Sequence, residues 1–173
     1  MLVMLDRITK NMAQASLMDA DPFVIIDGVL EFKYLDGGNT GAAWGILEGR
    51  TGLFVAVTLI VAALLVYLIL RINKIIELSL ISRNENVLKR SRRFTAFQII
   101  CVFILGGAAG NLIDRAVLGY VIDFIYFKLI DFPIFNVADC YVTVATVLLI
   151  ICCIFFLDEK EFNLIFSFKK IEA

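Results

Sequence analysis

Leu53 to Leu70 reads LFVAVTLIVAALLVYLIL, eighteen residues without a charge, closed by Gly52 before it and Arg71 after it. About 20 apolar residues carry a helix across a bilayer, so this stretch is expected to span a membrane. Further along the chain, Phe94 to Ile113 is interrupted only by Gln98 and Asn111, and Cys140 to Leu157 forms a third apolar run. The 173 residues are 61% hydrophobic, with a mean hydropathy of +0.90. A water-soluble domain is about half apolar, and the excess here calls for lipid as solvent. At this length a single domain, residues 1–173, is expected.

The charges set the expected orientation. Between Arg71 and Arg93 stand Arg71, Lys74, Arg83, Lys89, Arg90, Arg92 and Arg93 against only Glu77 and Glu85. Short basic loops remain in the cytoplasm, so 71–93 reads as a cytoplasmic loop between spans at 53–70 and 94–113. Asp6 to Gly52 holds seven acids and four bases and belongs outside. The third span, 140–157, returns inward, leaving 158–173 with Lys160, Lys169 and Lys170 as a cytoplasmic tail in which Phe162 to Phe168 suits an interfacial anchor. Outside, Phe23 to Tyr34 (FVIIDGVLEFKY) carries the hairpin signal Asp27-Gly28. Leu30, Phe32 and Tyr34 alternate there with Glu31 and Lys33, the pattern of a half-buried strand. At the amino end, Met1 to Leu5 is apolar and Asp6, Arg7 and Lys10 follow at once. Five apolar residues are too few to cross a bilayer. Either the chain starts at the membrane surface or its start lies further upstream.

Composition removes several chemistries. There is no histidine, which excludes Ser-His and Cys-His nucleophiles and His-ligated zinc. The cysteines fit no zinc spacing, and Cys101, Cys152 and Cys153 lie within apolar runs, where a thiol packs as a small hydrophobe. A net charge of −1 gives no general attraction for nucleic acid. No metal and no cofactor are expected.

What remains is a set of polar residues at one level, the outer ends of the spans: Asn39, Asn111, Asp114, Arg115, Asp123, Asn136 and Asp139, joined by Asp6 if 1–10 ends a span. Ionisable groups in an apolar setting are costly and point to function. Asn111-x-x-Asp114 and Asn136-x-x-Asp139 echo one another, and on a helix residues three apart share a face. Each Asn is then placed to bond its Asp or a common partner. Asp139 also suits a helix cap. Asp114 has Arg115 next to it as an available counter-ion, whereas Asp123 sits among Tyr120, Val121, Ile122, Phe124 and Ile125. If Asp123 and Asp139 converge, they form two carboxyls sharing one proton, able to activate water without histidine or metal. The glycines from Gly106 to Gly110 suit close helix packing. Gly41-Ala42-Ala43, just after Asn39, suits close approach of backbone to a substrate.

Five blocks occur in order along nearly the whole chain: Asp6-Arg7-Ile8-Thr9-Lys10, Asn39-Thr40-Gly41-Ala42-Ala43-Trp44, Gly110-Asn111-Leu112-Ile113-Asp114-Arg115, Gly119-Tyr120-Val121-Ile122-Asp123-Phe124 and Phe132-Pro133-Ile134-Phe135-Asn136-Val137-Ala138-Asp139. Together they resemble the motifs of the lipoprotein signal peptidase family, the type II signal peptidases of bacteria (aspartic peptidase family A8). The resemblance implies an all-α membrane helix bundle of four spans with a small extracytoplasmic β cradle, in the bacterial cytoplasmic membrane. It implies an aspartic endopeptidase that cuts prolipoproteins just before a diacylglyceryl-modified cysteine, acting as a monomer among membrane lipids. By the same resemblance Asp123 and Asp139 are the catalytic pair. Asn39, Asn111, Asp114, Arg115 and Asn136 surround the substrate or the inhibitor globomycin, and Asp6 and Lys10 give structural support. The sequence departs from the family where Arg7 stands for a usual Gln and Cys140 for a smaller or hydroxyl residue. Of the first span only Met1 to Leu5 precedes Asp6, so 1–10 is expected as its remnant and 11–52 as the cradle region.

Two other readings start from the same residues. A Ser-Lys peptidase would use Ser16 and Lys10, although an unactivated Ser needs a positioned base. A membrane transport or binding protein would use the outer-face carboxylates to relay protons or hold ions, and would place acids near mid-span.

Overall fold

The computed structural model describes residues 1–41, 49–81 and 85–167. Helix α1 covers Leu2–Leu17, strands β1 and β2 cover Phe23–Ile26 and Leu30–Phe32, and helices α2 and α3 cover Thr51–Ile81 and Glu85–Val117. Strand β3 (Ile125–Phe127) and a 3-10 turn (Lys128–Ile130) lead to α4 (Val137–Ile151), which ends in a π turn (Cys152–Phe156) before α5 (Glu159–Phe166). Among the described residues, three helical segments are long and apolar enough to cross a membrane, Thr51–Leu78, Ser91–Val117 and Val137–Phe156. This is a membrane protein, mostly helical, with one small sheet.

The helices are longer than the apolar runs that announced them. Residues 71–81 and 85–93, expected as loop, are helical, because nothing between Arg71 and Arg93 is Gly or Pro and most of the residues favour helix. Likewise α1 continues to Leu17, seven residues into the region expected to be cradle. Arg83, Lys169, Lys170 and Phe168 lie outside the described residues, as do Ala42 and Ala43 of the small-residue run.

The chain forms two compact units, Met1–Leu59 with Gly106–Tyr141, and Ile60–Leu105 with Val142–Ala173. In the second unit, α2 buries Leu65, Leu68, Ile72 and Ile75, and α3 buries Phe94, Phe97, Cys101 and Ile104. Both stripes step by three, four and three residues, the spacing of one helix seam. Other apolar side chains of the same helices, such as Ile60, Leu64, Leu70 and Ile99, face outward. A helix apolar on every side belongs in lipid. Cys101 and Cys152 are in this core and Cys153 packs against it, as their apolar settings predict. Helix α5 opens with a capping box, in which Asp158 accepts from the Glu161 N–H and Glu161 bonds the Asp158 N–H. It buries Ile165 in the core while Phe162 stays exposed. Arg93 pairs with the buried Glu161 at 2.7 Å and donates to the Phe156 carbonyl at 2.9 Å, and Arg71 donates to the Leu164 carbonyl at 2.8 Å. Both bases therefore hold α5 in addition to any role in topology.

In the first unit, α1 has its polarity reversed. Its buried residues are Asp6, Lys10 and Ala13, while Met4, Leu5, Ile8 and Met12 are exposed. Glycines of α3 admit α1: a Cβ on Gly110 would collide with the Asp6 carboxylate, and one on Gly106 would lie 2.8 Å from the Leu2 side chain. The run from Gly106 to Gly110 is thus a helix-packing surface.

The sheet is antiparallel in the order β1-β2-β3. Asp27-Gly28-Val29 closes the expected hairpin, with Gly28 at φ +69°, the left-handed conformation such three-residue turns need. The expected alternation is inverted in β2. Glu31 is its buried residue, with Leu30 and Phe32 only partly covered, because Lys128 meets the Glu31 carboxylate at 2.6 Å from beyond β3.

Candidate active site

Irregular pairing beyond the three strands delivers Asp123. The Lys33 and Leu35 N–H groups donate to the carbonyls of Phe124 and Asp123, and Asn39 and Val121 exchange both backbone bonds at 2.9 Å. On the other side, Phe135 pairs with Ile125 and its carbonyl also accepts from the Phe124 N–H. Residues 121–125 are thus held between 33–39 and 135, which places Asn39 and Asn136 on either side of the Asp123 side chain.

The carboxylate of Asp123 is almost fully buried, at 2% exposure. Its Oδ2 accepts from Asn39 Nδ2 at 2.8 Å and its Oδ1 from Asn136 Nδ2 at 2.6 Å. Burial pushes its pKa up to about 7 and the charge of Asp139 adds to the rise, against the two amide bonds and Lys10, which lower it. Near neutral pH Asp123 therefore sits at its midpoint, poised to hold or release a proton.

Asn136 is the link between the two acids. It immediately precedes α4, and its backbone N–H donates to Asp139 Oδ2 at 3.1 Å while its Oδ1 accepts from the Asp139 N–H at 3.0 Å. This reciprocal pair is a capping box built from Asn and Asp. The capping reading of Asp139 is correct in geometry, and it does not compete with a chemical one. The Asn136 amide is left free to reach Asp123, so one residue touches both carboxyls.

Behind this pair lies a neutral ion cluster. Lys10 is wholly buried, and its ammonium meets Asp6 at 2.8 Å, Asp114 at 2.9 Å and Asn111 Oδ1 at 2.8 Å. Arg7 closes on the other oxygen of Asp114 at 2.6 Å. Two bases thus balance two acids, which is what allows charges to be buried at all. Asp6 also accepts from the Ala138 N–H at 3.0 Å, and Asp114 from the Ile122 N–H at 3.3 Å. The cluster in this way anchors both the start of α4 and the segment leading to Asp123.

Asn111 joins cluster and acids. Its Oδ1 accepts from Lys10 and, at 3.0 Å, from Asn136, and its Nδ2 donates to Asp139 Oδ1 at 2.7 Å. The repeated Asn-x-x-Asp pattern therefore works in two ways. Asn111 and Asp114 share Lys10 as a common partner, while Asn136 and Asp139 bond directly.

Arg115 is not the counter-ion of Asp114. Adjacent residues on a helix point apart, and Arg115 instead donates to the Gly41 carbonyl at 3.2 Å and lies 5.0 Å from the centre of the Phe54 ring. Its buried Nε has no hydrogen-bond partner among the described residues. Gly41 is also held through its N–H by Asn39 Oδ1 at 2.9 Å. Arg7 was the partner that sequence reading missed, since its role depends on a residue 107 positions away. A Ser-Lys site is not assembled either, because all three donors of Lys10 are committed to the cluster and Ser16 lines a separate apolar cavity.

Asn39, Asn111, Asp114, Arg115, Asp123, Asn136, Asp139, Asp6 and Lys10 thus lie in one unit and one network. A family profile described as Signal peptidase (SPase) II matches residues 1–155. A lipoprotein signal peptidase of Clostridium tetani is 40% identical over 152 residues, covering 86% of this chain and 85% of its own. One from Caldanaerobacter subterraneus subsp. tengcongensis is 38% identical over 149 residues, covering 86% of this chain and 87% of its own. A solved bacterial membrane enzyme superposes with a TM-score of 0.66 at 32% identity, covering 90% of this chain and 89% of that one. By its motifs, its helices and these relatives, the chain belongs to the signal peptidase II family of membrane proteases.

Proposed function

We propose that the chain is an aspartic endopeptidase that cleaves diacylglyceryl-modified prolipoproteins before the lipidated cysteine, with Asp123 and Asp139 as the catalytic pair. The reading is supported most directly by Asn136, which bonds Asp123 through its amide and Asp139 through its backbone. The substrate class follows from the relatives, each a lipoprotein signal peptidase. The site belongs at the extracytoplasmic face of the bacterial cell membrane, because the basic stretch from Arg71 to Arg93 favours the cytoplasm and the site lies at the opposite ends of the spans.

Asp123 holds the shared proton near neutral pH and Asp139 is the base. Water attacks the peptide carbonyl carbon while Asp139 takes its proton and Asp123 gives its own to the carbonyl oxygen. When the carbon–nitrogen bond breaks, Asp139 passes its proton to the departing amine and a diol hydroxyl returns one to Asp123. One water is consumed and the pair is restored. Arg115 offers its Nε, unpartnered among the described residues, to a substrate carbonyl, and Asn39 fixes Asp123 from the side away from Asn136. Asp6, Lys10, Asp114 and Arg7 support the site from behind.

The test is cleavage of a diacylglyceryl-modified precursor peptide by full-length protein. Asp123→Asn and Asp139→Asn should each keep the fold and lose cleavage. Substantial turnover by either variant would falsify the pair. The transport reading has no support from the relatives, and ion flux in proteoliposomes that is lost in Asp139→Asn would be its signature.

A further inference from the structure

We infer that Lys10 is a positioning residue for the reaction: by binding Asn111 Oδ1 it turns the Asn111 amide nitrogen toward Asp139 and holds it there. The inference rests on the peptidase reading above and extends it to a residue expected only to support the fold.

The argument is one of donors and acceptors. An ammonium has three N–H donors and no acceptor. Lys10 spends one on Asp6, one on Asp114 and one on Asn111 Oδ1. That same Oδ1 accepts a second bond, from Asn136 Nδ2. The Asn111 nitrogen is left facing Asp139 Oδ1 at 2.7 Å. The two ends of an Asn amide are close in shape, and only the surrounding network decides which is which. Rotating Asn111 by half a turn would set its NH2 against the Lys10 ammonium and the Asn136 amide, and its oxygen against a carboxylate. Without Lys10 the rotation is opposed only by Asn136 and by the Asp139 carboxylate itself, and Asn136 is also needed at Asp123. Lys10 lies 101 residues from Asn111 in the chain, so no local pattern discloses the link.

Arg in place of Lys10 does not reproduce this. A guanidinium spreads its donors over a rigid plane, whereas the three acceptors here converge on one nitrogen.

The charge of Lys10 gives a second readout. The groups facing Asp123 are Asp139, Asn39, Asn136, Lys10 and, within electrostatic reach, Arg115. Lys10 lowers the pKa of Asp123. Asp123 must be protonated to act as the acid, so the rate falls as pH rises through that pKa. Removing Lys10 moves the fall to higher pH.

The experiment uses full-length protein in detergent micelles with a synthetic diacylglyceryl-modified precursor peptide, reading kcat, KM, the pH profile and the thermal midpoint. Lys10→Met alone leaves the buried Asp6 without a cation while Asp114 keeps Arg7, so it is paired with the charge-balanced Asp6→Asn/Lys10→Met variant. If Lys10 positions Asn111, the double variant regains thermal stability over Lys10→Met while kcat stays about 100-fold below wild type, KM changes little and the basic limb lies at higher pH. Lys10→Arg then loses kcat with the basic limb in place. Recovery of kcat together with stability in the double variant, or wild-type kcat in Lys10→Arg, overturns the proposal. Wild-type cleavage and its loss in Asp123→Asn are run alongside. If those controls fail, the peptidase reading is at fault and not the role of Lys10.

Discussion

At the scale of single residues the site is a problem in proton placement. Asp123 has its pKa pushed up to about 7 by burial first and by Asp139 second. Cleavage should therefore decline on the alkaline side with a midpoint near that value, measured as kcat against pH. Stability has the same sign. A carboxyl whose folded pKa is raised favours the fold while protonated, fully below its unfolded value of 3.8, and that contribution is lost as pH rises through 7. Asp123→Asn should flatten this part of the stability profile between about pH 4 and 7. Asn136→Ala removes both side-chain bonds of the hub and the cap of α4, so cleavage should fall about 100-fold with a loss of about 1–2 kcal/mol from the cap, read by thermal midpoint. The choice of Asp123 and Asn136 was open to sequence reading because a carboxylate among apolar neighbours needs a reason. The partner of Asp114 was not: adjacency suggested Arg115, and the true partners, Arg7 and Lys10, stand at the far end of the chain.

Among the elements, α1 and β2 carry the lesson that burial follows partners and not polarity. Hydrophobic periodicity locates the long helices well, since lipid rewards apolar surface on every side, and the Asp27-Gly28 turn locates the hairpin. Periodicity fails where an ion pair fills the interior. Glu31 is buried because Lys128 reaches it, and the inward stripe of α1 is Asp6, Lys10 and Ala13. Strand β3 has no signal of its own, as three apolar residues after Asp123 become a strand only by pairing with β2. Close approach of α1 to α3 makes its own prediction. Gly110→Ala drives a methyl into the Asp6 carboxylate and should cost about 1–3 kcal/mol, measured as thermal stability in detergent. Gly106→Ala meets Leu2, its Cδ1 at 2.8 Å and its Cβ at 3.0 Å, with no buried charge to displace, and should cost less.

For the molecule as a whole, composition alone indicated lipid as solvent, and three apolar runs indicated where it is crossed. The second unit adds a feature the runs conceal, a terminal helix held by Arg71 and Arg93. Arg93→Ala leaves Glu161 buried without that guanidinium and, since Arg93 is itself 40% exposed, should cost on the order of 2 kcal/mol. Faster trimming of the carboxyl-terminal helix by protease would report it. The reversed polarity of α1 also bears on how the protein is made. Arg7 leaves the ribosome 107 residues ahead of Asp114, an interval of about 5–20 seconds at ordinary translation speeds. For that time Lys10 has only Asp6, one turn away on the same helix, and Arg7 waits without Asp114. The seating of α1 is therefore a late event in synthesis, decided by the arrival of a helix made much later.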